Sequence, residues 1–105
     1  MSKKPVKRVT QPKLPADVRE AARRAASLLR TEGWCQGAMA TVSGEHCLVG
    51  AVDAASIGHP GVRNKVIDLL KKKLKVETIW GVTFWNDEPR RTKKQVLNLL
   101  AKVHK

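Results

Sequence analysis

The sequence is poor in cysteine and aromatic residues: its 105 residues include two cysteines, one phenylalanine, three tryptophans and no tyrosine. Two cysteines cannot form the several disulfides that stabilise small secreted scaffolds, so that class of protein is excluded. No apolar run reaches the roughly 18 residues that a membrane-spanning helix requires, which excludes an integral helical membrane protein. No apolar segment follows the basic N-terminus, so we expect no secretory signal and a cytoplasmic protein.

Acidic residues are also scarce, since 9 Asp and Glu stand against 21 Lys and Arg, for a net charge of +12. Residues 1–14 contain no acid and carry two prolines, a composition typical of a flexible basic arm. Residues 33–62 contain no lysine or arginine, which predicts a buried centre between basic flanks. The chain length suits one domain, which we assign to residues 15–105.

Four segments repeat apolar residues at the spacing of a helix that buries one face. Helices are therefore predicted at residues 15–32, 47–57, 61–75 and from residue 92 to near the C-terminus. Gly33 ends the first of these helices, because glycine readily adopts the left-handed conformation of a helix cap. Thr92 followed by Gln95 is a capping box, which marks the start of the last helix.

Two other segments have the composition of strands. Residues 76–85 are rich in β-branched and aromatic types and predict a short strand. Residues 38–42 are a second candidate, since a Ser-Gly turn follows them. The predicted fold is therefore mainly α, with about four helices in a small single domain and a short two-stranded β element as an open alternative.

Three short motifs follow one another along the chain. Residues 34–38 read WCQGA, residues 47–51 read CLVGA, and residues 85–92 read WNDEPRRT. In this combination they resemble a family of small proteins of actinobacteria and their phages, over about residues 18–103. The family has no established activity. The resemblance therefore implies a protein of a bacterial host cell or its phage, and it supplies no catalytic residue.

The candidate metal ligands and nucleophiles are sparse. Cys35, His46, Cys47 and His59 are the only soft ligands, and the single close pair is His46 with its neighbour Cys47. Zinc ligands usually lie two to four residues apart, so we predict no metal, no cofactor and two reduced thiols. No feature marks a general base or an oxyanion hole beside a cysteine, and the glycines match no phosphate-binding loop. We therefore expect a protein that is not an enzyme.

Basic residues form four clusters that are candidates for binding nucleic-acid phosphates or other anions. The first belongs to the N-terminal arm, and the second is a stripe on the first helix with Ala26 and Ser27 between its arginines. The third ends the helix predicted at 61–75, and the fourth surrounds the start of the last helix. In that order, the clusters are Lys3, Lys4, Lys7 and Arg8; Arg19, Arg23 and Arg30; Lys71, Lys72 and Lys73; and Arg90, Arg91, Lys93 and Lys94.

The helix dipole explains the third cluster of basic residues but not the fourth. Cations near the C-terminal end of a helix stabilise it, so the dipole alone is enough to account for the three consecutive lysines. Cations at a helix start oppose the dipole, so helix stability does not account for Arg90 to Lys94. Free N–H groups at that start, together with four cations, predict an anion site.

These features favour a non-enzymatic nucleic-acid-binding protein that contacts mostly the phosphates of DNA or RNA. Little sequence preference is expected, because no base-reading motif is present. The alternative is a phage or host regulatory module whose cations dock on an acidic protein surface.

Two further features have alternative roles. Trp34, Trp80 and Trp85 are able to stack on bases, but we expect the small core to need them. Asn86 and Asp87 form either a turn that caps the last helix or part of a functional site.

Overall fold

Residues 16–104 are described by the structure, a computed structural model. Within that range the chain forms five helices and no sheet, which confirms the mainly α prediction. The helices are α1 (Ala16–Glu32), α2 (Leu48–Ala55), α3 (Pro60–Leu74), α4 (Ile79–Asp87) and α5 (Lys93–His104). Among them, none combines the length and the apolar content that a bilayer crossing requires. The predicted arm, residues 1–14, lies outside the described residues.

Helix α1 is the centre of the fold, because it packs against α2, α3 and α5. Alanines dominate its buried face: Ala22 and Ala25 are fully buried, and Ala21 and Ala26 nearly so. Since alanine has no side chain beyond Cβ, neighbouring helices come close to the backbone of α1. The larger side chains that fill the core from the other helices include Leu48, Val52, Val66, Leu70, Val82, Val96 and Leu100.

The segment between α1 and α2 contains isolated bridges in place of the strand predicted at 38–42. His46 bridges to Trp34 in parallel and to Ala40 in antiparallel orientation. The strand prediction is wrong because the chain reverses at once: the Thr41 N–H donates to the carbonyl of Glu45, 2.9 Å away. Gly33 has a φ of 108°, so the predicted glycine stop of the first helix is confirmed.

Helix α4 occupies most of residues 76–85, where a strand was predicted. The described residues therefore contain one helix more than the four that were predicted. Thr78 caps it, since its hydroxyl accepts the N–H of Gly81 at 3.3 Å. Val82 and Asn86, four residues apart, are both fully buried on one face of the helix. Burial of that face outweighs the β-propensity of the individual residues, which depends strongly on context.

Gly50 in α2 lies against the preceding loop. A Cβ added to it would overlap the carbonyl oxygen of Met39, which also accepts the N–H of Cys47 at 3.0 Å. Only a residue without a side chain fits here, because a backbone oxygen that is already hydrogen-bonded cannot easily move. Gly50 therefore allows the loop to close over the start of α2.

We predict that Gly50→Ala lowers the free energy of unfolding by about 1–3 kcal/mol, the usual cost of overpacking a core. Urea denaturation followed by circular dichroism measures the change. Gly61→Ala is the matched control, because a Cβ added at that helical glycine meets no atom within 4 Å. Equal losses in the two variants would contradict the close contact at Gly50.

Candidate nucleic-acid interface

The side-chain amide of Asn86 joins three separate parts of the chain. Its oxygen accepts the indole N–H of Trp34 at 2.7 Å and the backbone N–H of Leu48 at 3.1 Å. Its NH₂ group donates to the carbonyl of Cys35 at 3.2 Å and to the carboxylate of Asp87 at 2.8 Å. Asn86 is fully buried, and these four bonds satisfy the hydrogen-bonding capacity of its amide.

Neighbouring groups extend this connection along the loop after α1. The side chain of Gln36 donates to the carbonyls of Asn86 and Glu88 at 3.0 and 2.8 Å. The N–H of Gly37 donates to the carboxylate of Asp87 at 3.1 Å. The motifs at 34–38 and 85–92 are therefore the two halves of one hydrogen-bonded assembly, which we call the Asn86 latch (residues 34–37, 48 and 86–88).

Of the two alternatives for Asn86 and Asp87, the turn that caps the last helix is wrong. Both residues lie in the last turn of α4, and Asn86 holds the start of α2 instead. The cap of α5 is the capping box predicted from the sequence: the Gln95 N–H donates to the Thr92 hydroxyl at 3.2 Å, and the Thr92 N–H donates to the Gln95 side chain at 3.0 Å. The capping box is confirmed.

Arg91 is held by α4. Its guanidinium lies 3.9 Å from the centre of the Trp85 ring, in a cation–π contact. It donates to the carbonyl of Trp85 at 2.8 Å and to the carboxylate of Glu88 at 2.9 Å, and its side chain is only 14% exposed. The four cations expected to act together at the start of α5 are thus not equivalent. Arg90 and Lys94 are exposed and Lys93 is half-buried, but Arg91 has a structural role that the sequence did not reveal.

Arg91 also forms part of a groove of about 350 Å³ between the end of α3, the end of α4 and one face of α5. Lys73 contributes a second cation and Lys102 a third. The full lining is Lys73, Leu74, Trp85, Arg91, Gln95, Asn98, Leu99 and Lys102. The groove thus unites members of two clusters that are separate in the sequence, and its lining includes no acidic residue.

Lys102 was not among the predicted site residues. The spacing of Gln95, Asn98 and Lys102 places them on one face of a helix. That face is polar, so a search for regularly spaced apolar residues does not find it. Its position in the groove follows from packing, because α5 lies against α3 with this face turned toward Lys73.

The predicted stripe on α1 is exposed at Arg23, Ser27 and Arg30, but its expected centre differs from the prediction. Ala26, expected at its centre, is 1% exposed and belongs to the core. Arg23 pairs with Glu20 at 3.3 Å, and the Nε of Arg19 is buried without a hydrogen-bond partner among residues 16–104. Arg30 is exposed, with no acidic partner within the same range.

The lysines at the end of α3 also differ from one another. Lys71 pairs with Asp68 at 3.2 Å, whereas Lys72 and Lys73 are exposed. Of these three residues, Lys73 is the one that lines the groove. The arm residues Lys3, Lys4, Lys7 and Arg8 lie outside the described part of the chain.

The two thiols are not joined to each other. Burial is the main reason that the pKa of Cys35 and that of Cys47 are raised above the ordinary thiol value, and the nearby Glu45 raises that of Cys35 further. The sulfur of Cys47 caps α2 by accepting the N–H of Gly50 at 3.3 Å. In the part of the chain that the structure describes, no three His, Cys, Asp or Glu side chains form a group that could hold a metal ion.

The comparison with protein families shows which family the chain resembles over most of its length. The model of a family of unknown function, DUF6197, covers residues 13–105, which includes every described helix and the whole Asn86 latch. The chain belongs to the DUF6197 family. Searches of curated proteins and of solved structures found no match. Membership in DUF6197 therefore agrees with the resemblance seen in the sequence and assigns no activity to the groove.

For this DUF6197 protein we predict that Asn86→Ala lowers the free energy of unfolding by about 3–5 kcal/mol, measured by urea denaturation. The variant leaves the Trp34 indole, the Leu48 N–H and the Cys35 carbonyl without their partner, and unpaired buried groups are costly. Asn98→Ala is the control, since Asn98 is exposed on α5. A loss at Asn86 no larger than that at Asn98 would contradict the latch.

We also predict slow alkylation of both thiols in the folded protein at pH 8, compared with free cysteine. A raised pKa leaves less of the reactive thiolate at that pH, so the rate should increase as the pH is raised further. Cys47 should react more slowly than Cys35, because it is 2% exposed and Cys35 is half-buried. Mass spectrometry of iodoacetamide-treated protein measures both rates. Faster reaction than free cysteine would contradict the prediction.

Proposed function

We propose that the protein is a non-enzymatic nucleic-acid-binding protein that contacts mainly phosphates and has little sequence preference. The observation that carries the proposal is the groove, where Lys73, Arg91 and Lys102 converge from three parts of the chain. Phosphate contacts of this kind supply most of the affinity of non-specific nucleic-acid binding.

The absence of acids from the groove lining supports an anionic ligand. Like charges that share a concave surface repel one another, and a bound phosphate turns that repulsion into attraction. Glu88 pairs with Arg91, so it offsets part of the charge of that residue, but it is not one of the lining residues. Gln95 and Asn98 add uncharged donors between the cations, and such side chains also contact phosphate oxygens in protein–DNA complexes.

Other cations extend the proposed surface beyond the groove. Lys72, Arg90 and Lys94 are exposed near the helix ends that form it, and the net charge of +12 favours association with any polyanion. The basic residues of the N-terminal arm would add phosphate contacts. On this proposal the protein acts in the cytoplasm of a bacterium, as a host or phage component.

The test compares single lysine variants in binding to a fluorescent DNA duplex at several salt concentrations. Lys73→Gln and Lys102→Gln should each weaken binding, and each should reduce the slope of log K against log salt by about 0.9. Lys65→Gln is the matched control, because Lys65 is an exposed cation of the same helix as Lys73 but does not line the groove.

The proposal is overturned if neither duplex nor single-stranded DNA binds at low salt. That outcome, together with copurification of one defined protein, would favour the alternative of a module that docks on an acidic protein surface. If Lys65→Gln weakens binding as much as Lys73→Gln does, nucleic acid binds to the general charge of the protein and the groove has no special role.

A further inference from the structure

Two aromatic side chains stand in solvent on α4. Trp80 is 66% exposed and Phe84 is 67% exposed, and they lie one helical turn apart. Phe84 is the only phenylalanine in the chain, and Trp80 is one of three tryptophans. The small core was expected to need Trp80, but the structure exposes it. With Phe84 on the next turn, it forms an exposed apolar pair of the kind that marks a binding surface.

Helix geometry connects this aromatic pair to the groove. The buried residues Val82 and Asn86 mark the inner face of α4, and the spacing of Trp80 and Phe84 puts them on the opposite face. Trp85 follows Phe84 in the chain, one step around the helix, and lines the groove beside Arg91. The exposed aromatic pair and one wall of the basic groove are therefore carried by the same short helix.

The charges near the pair limit what part of a nucleic acid can lie there. Glu77 lies just before α4 and Glu88 just after it, and the carboxylate of Asp87, the last residue of α4, accepts the Gly37 N–H and the Asn86 amide. Glu88 is paired with Arg91, whereas Glu77 is exposed and has no basic partner within the described residues. Phosphates are repelled by a free carboxylate, so the uncharged faces of bases fit this surface better than a sugar–phosphate backbone does.

We infer that the protein binds an unpaired nucleic-acid strand, with phosphates in the basic groove and bases stacked on Trp80 and Phe84. The inference rests on the proposed function and makes it more specific. A cationic groove that follows the backbone, next to aromatic rings that stack on bases, is the combination found in proteins that bind single strands. A duplex offers its phosphates to the groove but keeps its base faces stacked inside, so the aromatic pair distinguishes the two forms of nucleic acid.

The experiment measures the affinity of Trp80→Ala and Phe84→Ala for fluorescent oligo-dT of about 12 nucleotides, for oligo-U of the same length, and for a DNA duplex. Each variant should lose about 5- to 100-fold in affinity for both single strands, because stacking does not depend on the sugar. The salt dependence should not change, since no phosphate contact is removed. Duplex binding should also stay the same.

Two controls test whether stacking is the cause. Trp80→Phe should keep most of the single-strand affinity, because any aromatic ring presents a π-face to a base. Ile57→Ala removes another exposed apolar side chain, 78% exposed and outside the groove and the aromatic face, and should have no effect.

The possible outcomes separate this inference from the proposed function. If the groove lysines matter for duplex binding but the aromatic variants bind single strands as the parent does, the aromatic face has another occupant and only this inference is overturned. Equal losses for single strands and duplex would also overturn it. If no nucleic acid binds at all, the proposed function itself is overturned.

Discussion

The hydrogen bonds of the Asn86 side chain are the constraint on which the rest of the structure depends. An amide that is fully buried is costly unless every donor and acceptor has a partner, and here all of them do. The partners belong to the loop after α1, the first turn of α2 and the end of α4. The amide thus fixes the relative position of these chain segments, which apolar packing alone does not specify because it is not directional.

The position of α4 has consequences for the proposed interface. With Asn86 fixed on the inner face, Trp85 lies against the segment before α5, where Arg91 stacks on its ring and donates to its carbonyl. The same short helix presents Trp80 and Phe84 outward. The wall of the basic groove and the aromatic face are therefore parts of one rigid element, and the spacing between phosphate and base contacts is set by the helix itself.

Features that depend on local sequence could be predicted, and those that depend on long-range packing could not. The first helix followed from its apolar spacing and Gly33, and the start of α5 from Thr92 and Gln95. Helix α4 was predicted to be a strand because many of its residues have a high β-propensity individually. Ile79, Val82 and Asn86 nevertheless have helical spacing. Since Asn86 is polar, a search for apolar periodicity does not place it in the core.

The candidate interface was visible only in fragments. Lys73 and Arg91 appeared in two clusters with different explanations, and the sequence gives no indication that α5 brings Lys102 beside them. The family resemblance identified the motifs of the Asn86 latch but not their contacts. Those motifs form a structural assembly, so the most specific part of the sequence concerns folding. The functional proposal depends instead on the basic residues of the groove, which belong to no distinctive motif.

The latch also has a consequence for the order in which the chain folds. Apart from the bond between Asn86 and Asp87, its bonds join residues 38 to 52 positions apart, so they form only after long loops have closed. Helical contacts within α1 and α3 are local and are expected earlier. Bonds that are absent from the folding transition state contribute mainly to the barrier against unfolding. The buried amide of Asn86 would then act as a kinetic lock, with little influence on how fast the chain folds and a large influence on how long it stays folded.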